Sequence, residues 1–479
     1  MIIENTKEEN SNNKNIVPIY KIARPIFSKK EKGLLEELRN NLVDLAISSK
    51  GEFEPKKDEQ LENIKNFLKF RIETIDNTYL NKLAYSFYHD IFGYGKIDPL
   101  IKDKDLEEIM VIGVNKPIFV YHRKHGMMET DLIFKNEEDI LSLIDSIARQ
   151  INRRIDQQSP ILDTRLPDGS RVNATIPPIS AEGPSITIRK FNEDPLSIID
   201  LIKSNTLNSS LAAFLWTCVD GLGVNPANII ISGGTSSGKT TTLNALCGFI
   251  NPRERIVSIE DTLELQIQHK HILKMETRPT NIESAGEITM DDLVKNSLRQ
   301  RPDRIIVGEV RGKEAITLFT ALNTGHSGFG TLHANNSRET ITRLINHPMD
   351  VPKIMISAID LIIMQNKIYH SSGGAIRRIT EVSEVVGMEE DTIQLNKIFN
   401  WNPKNDEIED ISISSNTLKT LSEIKATTIE SIKEEIKKRE FILDFAVKNN
   451  INSNTELNSL FEEYYLNSDD LINYIQTIK

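Results

Sequence analysis

Cysteine is nearly missing from this sequence: Cys218 and Cys247 are the only two in 479 residues. Each sits inside an apolar stretch, so neither a disulfide framework nor a four-cysteine zinc site can be built, and a reducing cytoplasm fits. Long hydrophobic runs are missing as well. The longest, near Leu211 to Val219, stops at Asp220 and falls well short of the ~20 residues that a membrane-spanning helix needs. Met1 to Asn15 is polar and acidic without an apolar segment, which argues against a cleaved secretory signal. Membrane association is therefore expected only through partners or surface charge. Positive charge is not in excess either: 58 Lys and Arg against 69 Asp and Glu give a net charge of −11. Coating nucleic acid needs clustered positive charge, so that task is disfavoured. What is present, 39% hydrophobic and 27% charged residues, is ordinary for a soluble globular protein. The length predicts two or three domains.

Residues 1–60 mix Asn, Lys and Glu and read as a flexible arm with one short helix around Leu34 to Leu45. Denser apolar patterning begins at Leu61, with a helix through Phe87, Ile91 and Phe92 that stops at Gly93-Tyr94-Gly95. Strands are predicted at Ile109 to Ile112, Ile118 to Tyr121 and Ser185 to Phe191, with a helix over Glu137 to Arg154 between them. Residues 61–191 thus form a small α+β domain, and 192–195 (Asn-Glu-Asp-Pro) a hinge. From Asn228 β-rich runs at Ile229 to Ser232, Ile256 to Ile259, Ile305 to Val307 and Leu361 to Met364 alternate with helical segments, the pattern of a parallel sheet wrapped by helices over 196–405. A β-pair through Val385 and Ile393 to Trp401 closes this domain. Residues 406–479 are a helical extension with apolar stripes at Ile429, Ile432, Ile436 and Leu443, and at Leu457, Leu460, Phe461 and Tyr464.

The chemistry starts at Gly233-Gly234-Thr235-Ser236-Ser237-Gly238-Lys239-Thr240, followed by Thr241. This matches G-x-x-x-x-G-K-S/T between a strand and a helix. Its glycines let the backbone wrap phosphates, Lys239 reaches the β- and γ-phosphates, and the Thr240 hydroxyl ligates magnesium. Arg255 to Ile259 delivers Glu260 and Asp261 to a strand end, with Glu264 close behind. Such acids orient water or hold the magnesium shell, although two acids after a strand are also an ordinary solvated turn. Arg304 to Val307 ends in Gly308-Glu309. Glu309 is then the only acid at that tip, and its contact with magnesium would run through water. His326 and His333 flank a glycine-rich strand entry. Phosphate sensing suits His326 and domain-interface packing suits His333, a zinc site being disfavoured for want of further ligands. Arg171 and Arg189 stand at turn or strand positions able to face a partner, where a guanidinium could reach a γ-phosphate; surface arginine is the plain alternative.

Four motifs in order, Gly233 to Leu246, Ser258 to Leu265, Arg299 to Gly312, and Thr324 to His326 with Thr331 to Asn335, resemble the type II/IV secretion ATPase superfamily. Phe92 to Leu100, Tyr121 to Lys124 and Pro348 to Pro352 resemble its archaeal branch, which drives archaellum rotation or pilus assembly. The resemblance implies a RecA-like P-loop ATPase domain after a smaller α+β domain, with nucleotide between the two. It also implies ATP and Mg2+ as cofactors, a homo-hexamer, a polytopic membrane platform protein and an archaellum accessory ATPase as partners, and a place at the inner face of the cytoplasmic membrane. Glu260 and Glu264 match the family's Asp box, Glu309 its Walker B acid, His326 and His333 its His box, and Arg171 and Arg189 its first-domain phosphate arginines. A RecA-like nucleic-acid motor or helicase is the alternative. The acidic balance and the lack of an aromatic-plus-basic strand-binding stretch weigh against it, and no nucleic-acid partner is expected.

Overall fold

A computed structural model describes residues 17–22, 28–48, 57–72, 76–150, 153–191, 195–278, 286–369 and 375–478. The chain divides into two compact units, Met1–Glu193 and Asp194–Lys479. Most of the expected hinge, residues 192–194, and much of the expected arm lie outside the described residues.

In the first unit, three helices, α1 (Lys29–Ser48), α2 (Lys57–Arg71) and α3 (Asn77–Phe92), share a small core of Leu35, Leu38, Ile64, Leu68, Leu80, Leu83 and Phe87. The N-terminal reading is corrected here: the short helix foreseen at Leu34 to Leu45 is a 20-residue helix, and its Leu35 and Leu38 are buried in a core shared with α2 and α3. Asp76 caps α3 by accepting from the N–H groups of Thr78 and Tyr79, and Gly93 ends it as foreseen. A short helix α4 (Asp98–Lys102) follows. Seven strands then form one sheet: β1 (Ile19–Tyr20), β2 (Leu106–Ile112), β3 (Pro117–His122), β4 (Gly126–Ile133), β5 (Ile161–Arg165), β6 (Arg171–Thr175) and β7 (Ser185–Arg189), in the order β1-β4-β3-β2-β7-β6-β5. The helix α5 (Glu137–Gln150) lies on it through Ile140, Leu143, Ile144 and Ile147. It ends earlier than the predicted Arg154.

The second unit is built on nine strands. β8 (Ile229–Ser232), β9 (Ile256–Glu260), β10 (Ile272–Glu276), β11 (Arg304–Val307), β12 (Ser327–Leu332) and β13 (Leu361–Tyr369) run parallel in the order β10-β9-β11-β12-β8-β13. Antiparallel strands β14 (Ala375–Glu389), β15 (Thr392–Asn402) and β16 (Glu407–Asp410) extend the edge beside β13. Successive side chains of β8 serve opposite layers: Ile229 and Ile231 join one core, Ile230 the other. Helices α6 (Ile198–Lys203), α7 (Ser209–Asp220) and α8 (Lys239–Cys247) contribute to the first core. α9 (Met290–Ser297), α10 (Glu314–Asn323) and α11 (Ser337–Ile345) contribute to the second. This is the RecA-like α/β arrangement with a parallel-rich sheet that the motifs imply.

The C-terminal helices α12 (Asn416–Ile424), α13 (Ile429–Lys448) and α14 (Asn454–Ile478, broken at Asn467) belong to the first of those cores, through Leu421, Ile432, Leu443, Phe461 and Ile475. Trp216 of α7 stacks on Phe249 at a centroid distance of 5.1 Å and meets Phe461 at 4.5 Å and Tyr464 at 5.1 Å. Arg439 of α13, 3% exposed, lies over the Trp216 ring and pairs with the buried Asp220 at 2.9 Å. Among the described residues no helix is long and apolar enough to cross a membrane.

Candidate functional site

Parallel strands aim their carboxyl ends the same way, so residues just after β8, β9, β11 and β12 gather at one edge. The loop after β8 turns through Ser236 at φ +57° and Gly238 at φ +96°, a left-handed path that favours glycine at the second position. Gly233 is required for another reason: a Cβ there would stand 2.0 Å from the Gln365 carbonyl oxygen of the neighbouring β13. Lys239 opens α8 and is 7% exposed. Its ammonium donates to the carbonyls of Gly233 at 3.0 Å and Gly234 at 2.9 Å. Burial lowers its pKa, partly offset by the charge of Glu309.

His333, one residue past β12, links that lysine to the acid after β11. Its Nδ1 lies 3.4 Å from Lys239 Nζ and its Nε2 3.2 Å from Glu309 Oε1. An ammonium can only donate, so Nδ1 is the acceptor and Nε2 carries the proton given to Glu309. Burial first, then the Lys239 charge, lowers the His333 pKa and keeps the ring neutral near pH 7. The other oxygen of Glu309 accepts from Arg311 at 2.5 Å, and Arg311 also approaches Asp261 at 3.7 Å. Burial raises the Glu309 carboxyl, but the hydrogen bond and charge of Arg311, with His333 and Lys239 behind them, bring it below the usual range.

Glu260 is the opposite case. Only 2% exposed, it accepts through Oε2 from the N–H groups of Glu264 at 2.8 Å and Leu265 at 3.0 Å, while buried Oε1 has no partner among the described residues. Burial pushes its carboxyl from 4.5 to about 7, more than those two hydrogen bonds pull it down. Glu264 contributes its backbone to this site, and its negative charge raises Glu260 further. The glycine that precedes Glu309 now has a physical reason. A Cβ on Gly308 would meet Glu260 Cγ at 2.8 Å, so the acid of β9 occupies the room that a side chain at the end of β11 would take.

The two histidines stand apart. His333 touches Lys239 and Glu309. His326 was expected to sense phosphate, yet it precedes β12, six residues of strand away. At ~3.3 Å per residue that is roughly 20 Å from the phosphate loop. His326 contacts the carbonyl of Ala321, its Nδ1 standing 3.3 Å away.

In the first unit, Arg171 and Arg189 are directly paired across β6 and β7, and Arg165 of β5 stands opposite Arg171. Paired residues share a face, so three guanidinium groups form one row. Arg171 donates to both carboxylate oxygens of Asp163, at 3.1 and 3.3 Å. Sequence reasoning missed Arg165 and Arg311. The first follows from hairpin pairing, which spacing alone does not fix; the second is legible as an arginine two residues beyond a strand-end acid.

Residues 92–404 match the type II/IV secretion system protein family. An uncharacterised protein of Methanocaldococcus jannaschii is 48% identical over 306 residues, covering 63% of this chain and 41% of that one. Conjugal transfer protein TrbB of Rhizobium radiobacter is 32% identical over 297 residues, covering 60% of this chain and 86% of that one. The chain spans 41% and 58% of the length of two of the curated M. jannaschii relatives it matches. Among solved structures, the Legionella pneumophila ATPase DotB is similar with 21% identity, a TM-score of 0.43, and coverage of 61% of this chain and 79% of that one. With the family match running through both units and across every motif of the strand-end site, this chain belongs to the type II/IV secretion system protein family.

Proposed function

We propose that this chain hydrolyses ATP with Mg2+ and works as the cytoplasmic motor of a secretion or filament machine of the archaellum or type IV pilus kind. The observation that carries the reading is the convergence of Lys239, His333, Glu309 and Glu260 at the strand ends around the glycine loop. Residues 233–241 wrap the phosphates with backbone N–H groups, and Lys239 leaves its carbonyl partners to meet the β- and γ-oxygens. Thr240 and Glu309 are the residues that would hold magnesium, which would supply charge neutralisation to the phosphates.

The two acids divide the work because their surroundings push their pKa values apart. Glu309 stays ionised, fixed by Arg311 and His333. Glu260, near 7, is matched to take the proton of the attacking water at neutral pH. Arg171 and Arg189, with Arg165 in the same row, would supply positive charge to the phosphates. A homo-hexamer on the inner face of the membrane, docked on a polytopic platform protein and an accessory ATPase, would turn hydrolysis into filament assembly or rotation. Phosphate release from ATP by the full chain tests the enzymatic half. Turnover is expected in the wild type and its loss in Lys239→Ala and Glu309→Gln; equal turnover in Lys239→Ala would overturn the reading.

A further inference from the structure

The glycine loop has a second wall that the hydrolytic residues do not use. Lys239, Glu309 and His333 crowd the flank toward β12 and β11. The opposite flank is formed by β13 and β14. There, Arg377 of β14 donates from Nε to the Ser236 carbonyl at 3.1 Å. Its Cδ lies 3.2 Å from the point a Cβ on Gly238 would occupy, so the side chain lies along the Ser236 to Gly238 turn. The two terminal amino groups make no hydrogen bond or ion pair among the described residues. Beneath it, Gln365 is 1% exposed, its side-chain Nε2 stands 2.9 Å from that same Cβ position, and its buried side-chain Oε1 has no partner among the described residues.

A triphosphate laid across this loop has two ends. Ammonium, imidazole and carboxylate fix the γ end on the β11 and β12 flank, so the nucleoside must leave over the β13 and β14 flank. We infer that Arg377 is the nucleoside-side contact of this loop, its guanidinium plane stacked on the purine base and held in place by the Ser236 carbonyl. This rests on the ATP-binding reading above. A guanidinium suits the position because it is planar, always charged and weakly hydrated, and it stacks on aromatic faces where an ammonium cannot. Tethered at Nε, it has little freedom to lose when the base arrives.

The test compares ATP with inorganic tripolyphosphate, which offers the same phosphates without a nucleoside. Magnesium-dependent binding of each to the full chain is measured by calorimetry for the wild type, Arg377→Ala and Arg377→Lys. Arg377→Ala is expected to weaken ATP about tenfold, the size of one well-placed stacking contact, and to leave tripolyphosphate unchanged. Arg377→Lys, which keeps the charge without the plane, is expected to behave like Arg377→Ala. Unchanged tripolyphosphate binding also certifies that the loop is intact. Equal loss of both ligands would overturn the inference in favour of a phosphate or loop-supporting role, as would no loss of either. A wild-type protein that bound neither ligand would instead sink the ATP-binding reading itself.

Discussion

Glu260→Gln should change how stability depends on pH. Glu260 is buried, holds two backbone N–H groups on one oxygen and leaves the other without a partner among the described residues. Its carboxyl is raised from 4.5 to about 7. A group with a raised folded pKa binds its proton more tightly when folded. Its contribution is therefore full below pH 4.5, falls as pH rises, and is gone above about 7. At 1.36 kcal/mol per pH unit the whole span is worth about 3 kcal/mol, of which about 2 kcal/mol is lost between roughly pH 5.5 and 8.5. Both tryptophans, Trp216 and Trp401, lie in the second unit, so urea unfolding followed by tryptophan fluorescence reports on the unit that holds Glu260. The measured quantity is the stability of the wild type minus that of Glu260→Gln at each pH. Constant offsets from the amide cancel in the slope, and the difference should fall by about 2 kcal/mol across this range. A difference flat to within ~0.5 kcal/mol, or one that rises with pH, would refute the burial argument.

Two further outcomes separate residues that the sequence treats alike. His333→Ala removes the bridge between Lys239 and Glu309 and should lower kcat for ATP ten- to a hundredfold, about 1.4 to 2.7 kcal/mol of barrier. His326→Ala should leave kcat for ATP unchanged, and equal losses in the two variants would contradict the strand-end geometry. Arg439→Ala strands Asp220 in the core and should cost about 3–5 kcal/mol in urea unfolding, whereas the apolar double replacement Asp220→Leu with Arg439→Leu should recover much of it.

The phosphate loop and the parallel strands were legible because each local pattern agrees with the fold. Β-rich runs of four or five residues, a glycine loop and a helix start point the same way at Ile229 to Lys239. The different positions of the two histidines are legible in the sequence: a six-residue strand between His326 and His333 must put them at opposite ends. Gly308 was not legible. Its requirement arises from Glu260 on the adjacent strand, 48 positions earlier in the chain, and a single sequence does not state that register. The N-terminal helices were underread because α1 and α2 are mostly polar, and their few buried leucines acquire meaning only when α3 is set against them. Arg377 carries no signal of its own in the sequence, standing beside a second arginine at the start of β14. Arg378 beside it is spent on Asp406 and the Ser204 carbonyl, and only the alternation of strand faces gives the two different tasks.

The ring cluster around Trp216 bears on how such a chain can be recombined. The family model matches residues 92–404; outside that span Phe461 and Tyr464 close over Trp216, and Trp216 closes over Phe249 just beyond the helix that starts at Lys239. A different tail grafted here would have to present two rings that fit Trp216. Drift in the last 75 residues is thus tied, ring by ring, to the segment that follows the glycine loop, and a graft should succeed only when Trp216 and Phe249 travel with the tail.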